Sequence, residues 1–251
     1  MRIPPENREE NMKYIASVSF GKDSLAMLLM LIERDEPLDE VIFYDTGMEF
    51  QAIYDIRDKI IPLLEQHGIK YTELYPKNPM IYDMFERPVK GRNGQIHYGY
   101  SWCGTNGCRW GTTMKLATMD RYCGDNIVYV GVAHDEWERL QKERKQNKRF
   151  PLAEWGVTEG EALLYCYQHG YTWTECGKPL YALLDRVSCW CCGMKNLKEL
   201  RNYYRYLPEY WERLKGLQSL TERPMKGDGK SVFELGMRFW KEMLDGSDDD
   251  V

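Results

Sequence analysis

Residues 14–34 read YIASVSFGKDSLAMLLMLIER: an apolar run, a break at Ser19-Phe20-Gly21-Lys22-Asp23-Ser24, and a second apolar run at helical spacing. A buried strand that turns sharply into a buried helix leaves the first N–H groups of that helix unpartnered, and the helix dipole adds partial positive charge there. Anions bind at such ends. Gly21 is expected to let the backbone turn tightly and approach a ligand, Ser19 and Ser24 to offer hydroxyls, and Lys22 to add a charged contact. The competing reading is an ordinary strand–helix connection with a serine or aspartate cap. Neither the G-x-x-x-x-G-K-[ST] spacing of a Walker loop nor the G-x-G-x-x-G dinucleotide fingerprint occurs in this stretch.

Strand and helix signals then alternate. A β-rich run ends at Asp45-Thr46-Gly47, and a helical pattern spans 49–67, where Pro62 is expected to kink or split it. Further strands are predicted at 69–75 and 126–136, a loop-rich region at 76–108 and a helix at 109–121. Such alternation predicts an α/β fold with a doubly wound, mostly parallel, Rossmann-like sheet and a C-terminal helical, cysteine-containing extension. We expect residues 1–150 to form the nucleotide-binding domain and 151–251 a helical region packed on it. Ligands on such sheets bind beyond the C-terminal strand ends, which would gather Ser19–Ser24, Asp45–Gly47 and 132–136 around one crevice. Within the second half, Thr158 reads as a helix cap, Gly170 as a helix end, and 194–217 as an aromatic-rich helical pair divided at Pro208.

Composition narrows the setting. The chain of 251 residues is 43% hydrophobic and 29% charged with net charge −5, so a generally basic nucleic-acid coat is excluded, although a local basic face is not. A dense Lys/Arg run at 137–149 is either a solvated face or a basic segment that closes over phosphates. No apolar run reaches the ~20 residues that span a bilayer, and the polar N-terminus lacks the apolar core of a signal peptide. A cytoplasmic, reducing location is therefore expected, with no membrane partner. Eight cysteines are then notable, because five fall in two groups: Cys103 and Cys108, and Cys189, Cys191 and Cys192. In a reducing compartment such groups point to metal or redox chemistry, and four thiolates suit zinc or a 4Fe–4S cluster equally. Simple packing of buried cysteines is the alternative.

Six motifs, VSFGKDS, FYDTGMEF, WCGTNGCRWGTTMK, YVGVAHDEWERL, FPLAEWGVTEGEALLY and RVSCWCC, stand in one order along residues 13–195. In that order they resemble the phosphoadenosine phosphosulfate reductase family, within the adenine-nucleotide α-hydrolase-like (PP-loop) group. That resemblance implies an adenine nucleotide, ATP or an adenylyl sulfate (phosphorylated or not), with magnesium. It places Ser19, Phe20, Gly21, Lys22, Asp23, Ser24, Asp45, Thr46, Gly47, Gly131, Asp135 and Arg139 around the nucleotide, with Lys22 and Asp23 in the chemistry. It also implies a 4Fe–4S cluster, zinc being the alternative, on Cys103, Cys108, Cys189 and Cys192. Cys191 would be spare, and is the candidate reactive thiol.

The family holds two chemistries, and the loop is a hybrid: Ser19-Phe20-Gly21 looks like the reductases, Lys22-Asp23-Ser24 like the ATP users. The reductases' Glu-Cys-Gly-Leu-His nucleophile motif does not follow residue 193, and Glu175-Cys176-Gly177 is only a partial echo upstream. The expectation is an ATP pyrophosphatase that adenylates an acceptor, a nucleic acid or a small molecule, for sulfur transfer from a donor such as a cysteine desulfurase. The alternatives are a sulfonucleotide reductase using Cys176 or Cys191, and a non-catalytic nucleotide-binding module.

Overall fold

Five short strands form one sheet: β1 (Tyr14–Ser17), β2 (Glu40–Tyr44), β3 (Lys70–Leu74), β4 (Ile127–Val130) and β5 (Lys148–Arg149). Their order is β3-β2-β1-β4-β5, and every neighbouring pair is parallel. The computed structural model describes residues 12–103, 107–141 and 147–245. Residues 1–11, 104–106, the centre of the basic run at 142–146, and 246–251 lie outside them.

Contacts divide the chain into two interleaved units, one of residues 1–45, 51–76 and 114–173, the other of 46–50, 77–113 and 174–251. Sequence alternation suggests one boundary near residue 150; instead the chain passes between the units several times, and the helices of 151–173 group with the sheet.

In the first unit, period-two alternation along β2 sends Ile42 and Tyr44 to one face and Phe43 to the other. On the first face, Ile15, Ile42, Tyr44 and Val128 pack against Met119 and Cys123 of α3 (Lys115–Cys123). α1 (Lys22–Glu33) is buried almost throughout from Ser24 to Leu31, the pattern of a central helix, and packs against α4 (Glu159–Gln168). A reciprocal capping box of Thr158 and Glu161 starts α4, as the sequence leads one to expect. α2 (Gln51–Gln66) buries Ala52, Ile53, Ile56, Ile60 and Leu64. Pro62 does not split it: the helix runs through, with Pro62 on its exposed side.

The second unit holds α5 (Leu197–Tyr206), α6 (Pro208–Gln218) and α7 (Val232–Leu244). Tyr203, Tyr210 and Trp211 of the pair α5–α6 are core, and Phe50 lies 4.7 Å from Tyr210 and 6.0 Å from Tyr203 between ring centroids. The Trp190 N–H donates to Met48 O at 2.9 Å and Tyr203 Oη donates to Trp190 O at 3.0 Å. Segment 46–50 is thereby tied to the Cys189–Cys192 segment.

One residue joins loop to core. Phe20 is fully buried, its ring 5.2 Å edge-on from Phe43, yet its φ is +58°. A non-glycine residue there costs roughly 1–2 kcal/mol, and the aromatic packing offsets that cost. Its carbonyl is fixed by the Trp173 indole N–H at 2.8 Å. The ordinary rule that alanine is more stable than glycine should therefore reverse at this position. Phe20→Ala is expected to lose ~3 kcal/mol or more, and Phe20→Gly about 1 kcal/mol less, in urea denaturation. Equal or inverted stabilities would show that the strain is not borne at Phe20.

Candidate functional site

The sheet order reverses between β1 and β4, because the chain moves from β1 to β2 and β3 on one side and returns to β4 on the other. Loops leaving adjacent strand ends at such a switch point diverge and open a crevice. Those loops here are 18–21 and 131–136. Their approach is close: a Cβ on Gly131 would lie 2.8 Å from both Ser24 N and Ser24 Cα. Only glycine fits at 131 without displacing the first turn of α1.

The loop is internally ordered. The Ser24 hydroxyl donates to Gly21 O at 3.1 Å and accepts from Ser19 N at 3.1 Å, while the two serine hydroxyls lie 3.1 Å apart. The tight turn expected at Gly21 is made one residue earlier. Gly21 has φ −78° and ψ 167°, ordinary extended backbone, and the left-handed residue is Phe20. Gly21 is the N-cap of α1 and makes no side-chain cap, as a glycine must.

Lys22 Nζ stands 2.7 Å from Asp23 Oδ1 and 2.9 Å from Glu159 Oε1. Burial alone would lower the lysine pKa, but Asp23 and Glu159 outweigh it and raise it. Burial pushes the Asp23 carboxyl up, Lys22 opposes that, and Glu159 and Glu136 add to it. Asp135 accepts from the Glu159 backbone N–H at 3.0 Å and so anchors the start of α4. Arg139 pairs with Glu136, whose other oxygen accepts from Ala133 N at 3.0 Å. Asp45 ends β2, and Tyr54 Oη donates to its carboxylate at 2.8 Å. Asp23 and Glu136 offer hard oxygen donors of the kind magnesium prefers, although among the described residues no three His, Cys, Asp or Glu side chains converge on one ion position.

Thr46 and Gly47, expected beside the nucleotide, belong to the second unit. The Thr46 hydroxyl donates to Glu49 Oε1 at 3.0 Å and lies 3.5 Å from Cys189 Sγ, which itself donates to the same Glu49 oxygen at 3.5 Å. Cys103, Cys108, Cys189, Cys191 and Cys192 all fall in that unit too. Hydrogen bonds to Cys108 and Cys192 raise the Cys103 thiol, and the same bonds lower Cys108 and Cys192 to about 6. The Cys108 sulfur also accepts from Gly111 N at 3.1 Å. Gly193 leaves room for this grouping: a Cβ there would meet Cys103 O at 2.7 Å.

The thiols are neighbours through Cys103, but among the described residues no three His, Cys, Asp or Glu side chains converge where one metal ion would be held. Their spacing is that of hydrogen-bonded thiols, whereas their chemistry, several sulfurs of which Cys108 and Cys192 are lowered, fits a thiophilic metal or cluster.

Cys191 does not have the surroundings of a reactive thiol. It is buried, and burial followed by the charge of Cys192 pushes its pKa up. Burial likewise raises Cys189. The exposed Cys176 is a turn residue, since Cys176 and Gly177 have φ +49° and +72° between two short strands, Thr174–Glu175 and Lys178–Pro179. Burial, Glu209 and Glu175 raise its thiol.

Three residues in these constellations are not singled out by the sequence. Glu49 and Glu159 sit inside recognised motifs but carry no periodicity or spacing signal. Lys195 is a buried ammonium, 3.2 Å from Arg186 O and 3.8 Å from Glu199, over the rings of Phe50 and Tyr203. Only an unusual Lys three residues past a cysteine group could have marked it.

The family model described as the phosphoadenosine phosphosulfate reductase domain matches residues 13–175. The chain belongs to that family. An uncharacterized protein of Methanocaldococcus jannaschii is 26% identical over 94% of the chain. The chain spans about half of that relative, 48% of its length. Among solved structures, the U34-tRNA thiolase NcsA from Methanococcus maripaludis, with its 4Fe-4S cluster, aligns over 94% of this chain and 73% of its own, at 15% identity and TM-score 0.42. The five-stranded parallel α/β sheet agrees with the family assignment, and no helix among the described residues is long and apolar enough to cross a membrane.

The split of the thiols can be measured. Iodoacetamide on the folded, chelator-treated protein at pH 7 should label Cys108 and Cys192, with label falling as pH drops through about 6. Cys166, whose thiol burial pushes up to about 12, and Cys191 should stay unlabelled. Peptide mass spectrometry reads this directly; uniform labelling of all the cysteines would refute it.

Proposed function

We propose that this chain is a PP-loop enzyme that binds ATP and activates an acceptor by adenylation, releasing pyrophosphate, ahead of sulfur transfer. The observation that carries the reading is the loop of Ser19–Ser24. It feeds the N-terminus of a buried helix at the switch point of a parallel sheet, with a buried lysine at its first turn.

In this reading Ser19, Ser24 and the first-turn N–H groups of α1 hold the β- and γ-phosphates, and the Lys22 ammonium offsets the charge that grows on the leaving pyrophosphate. An acceptor oxygen attacks the α-phosphorus as the bond to the bridging oxygen breaks, so catalysis is positioning and electrostatic stabilisation. Magnesium, when bound, supplies further neutralisation of the pyrophosphate. Asp135 and Glu136 order the loop after β4 beside it, and Arg139 adds positive charge at its rim. The acceptor is a nucleic-acid base or a small molecule, and the sulfur comes from a donor such as a cysteine desulfurase.

Cys103, Cys108, Cys189 and Cys192 would hold the 4Fe–4S cluster that the family resemblance implies, or zinc. A bound cluster supplies a Lewis-acidic iron or a redox centre for handling sulfur. Lys195, whose pKa burial lowers against the pull of Glu199, acts on Cys192 and favours its anionic form. The sulfonucleotide reductase alternative needs an attacking thiolate at Cys176 or Cys191, and both of those thiols are raised rather than lowered.

Two measurements test the reading. Changing Asp23 and Ser24 together to alanine should abolish ATP binding in calorimetry while the protein still folds, with a stability loss of a few kcal/mol from the Ser24 hydroxyl's bonds to Ser19 N and Gly21 O and from one partner of Lys22. A double variant that binds ATP as wild type does would remove the phosphate-loop assignment. Replacing Cys108 or Cys192 by serine should lower both iron content and melting temperature in anaerobically purified protein, because metal binding is part of folding free energy. Cys123→Ser should leave iron content unchanged. Full iron in every ligand variant would leave these cysteines as packing residues.

A further inference from the structure

The phosphate loop carries an imbalance of charge. Around Lys22 stand Asp23 and Glu159, each within 3 Å of its ammonium, and Glu136 also acts electrostatically on Asp23. Arg139 is engaged with Glu136. Among the described residues, a site that is to receive a polyphosphate thus presents four carboxylates, Asp23, Asp135, Glu136 and Glu159, against two cations, Lys22 and Arg139, and its central cation already has two anionic partners. An incoming phosphate oxygen can reach the full charge of Lys22 only if one carboxylate gives way.

The two partners are not equivalent. Asp23 precedes Ser24 in the loop, and its side chain is 21% exposed, so it has little freedom to leave. Glu159 arrives from α4, a separate element, and its side chain is 43% exposed. Water can solvate that carboxylate on release, so the exchange costs little. The backbone of Glu159 stays fixed without its side chain, because its N–H is held by Asp135 and α4 is capped independently by Thr158 and Glu161.

We infer that Glu159 is a displaceable counter-anion that holds Lys22 in the empty site and is exchanged for a phosphate oxygen when the nucleotide binds. Its role is positional: it keeps the lysine extended at the helix start and sets the affinity for the polyphosphate portion, leaving adenosine recognition untouched. The inference rests on the phosphate-binding reading of the loop, and its test separates the two.

The experiment is calorimetric titration of wild type, Glu159→Gln and Glu159→Ala with inorganic pyrophosphate and with AMP, each with and without magnesium. Both variants should bind pyrophosphate about fivefold or more tightly than wild type under both conditions and bind AMP unchanged, while remaining folded by circular dichroism. If all three proteins bind pyrophosphate with one affinity, Glu159 is not exchanged and this inference fails while the loop assignment stands. Weaker pyrophosphate binding confined to the magnesium arm would make Glu159 a metal ligand and equally overturn it. Should wild type bind neither pyrophosphate nor ATP, the loop assignment falls, and the inference with it.

Discussion

The absence of a side chain at Gly131 is the constraint on which the candidate site at the switch point depends. The end of β4 passes so close to the first turn of α1 that a Cβ would sit 2.8 Å from the Ser24 backbone. That approach keeps the two loops of the switch point together, and any larger residue would separate them. On the other side the loop is held by Phe20, whose ring is part of the core and whose carbonyl is held by Trp173. The loop is thus fixed by packing at one end and by contact at the other. Preorganisation of this kind lets backbone N–H groups face a ligand without reorganising as it binds.

Fixing the backbone leaves the side-chain charges as the adjustable part. Lys22 is more deeply buried than either of its partners, and its charge survives there because two carboxylates offset the desolvation. Burial of that ammonium and provision of an anion to satisfy it are one requirement, met by Asp23 and Glu159. Helix α1, apolar almost all round, makes the requirement unavoidable, since a lysine at its first turn has few directions in which to reach water.

Much of this was legible in the sequence, and the part that was not has a common cause. The strand–loop–helix unit, the parallel sheet and the capped helices follow from local periodicity and turn chemistry, and those survive in any context. The position of the left-handed residue did not, because glycine is the usual occupant of such a site and here a buried phenylalanine occupies it. The fate of Thr46 was equally hidden. It follows β2 by two residues, which suggests the nucleotide, yet its hydroxyl is engaged with Glu49 and Cys189. Glu159 lies 137 residues from Lys22, and only the packing of α4 on α1 joins them.

The cysteines illustrate the same limit in chemical terms. Sequence grouped five thiols by spacing, and spacing treats them as alike. Burial and hydrogen bonding then divide them: hydrogen bonding among the three pushes Cys103 up and Cys108 and Cys192 down, while burial raises Cys191 and, with Glu49 against its sulfur, Cys189. The division follows from which side chains turn inward in a tight segment, where Cys192 N bonds to Cys189 O at 3.0 Å and Trp190 is buried beside Tyr210. A metal arriving at such a set displaces protons most readily from the two lowered thiols, Cys108 and Cys192, and less readily from the raised ones. Its affinity therefore rises with pH, and it does so in the protein's own folding free energy. What makes this group of cysteines a candidate centre is that unequal protonation, imposed by packing, and not the number of sulfurs.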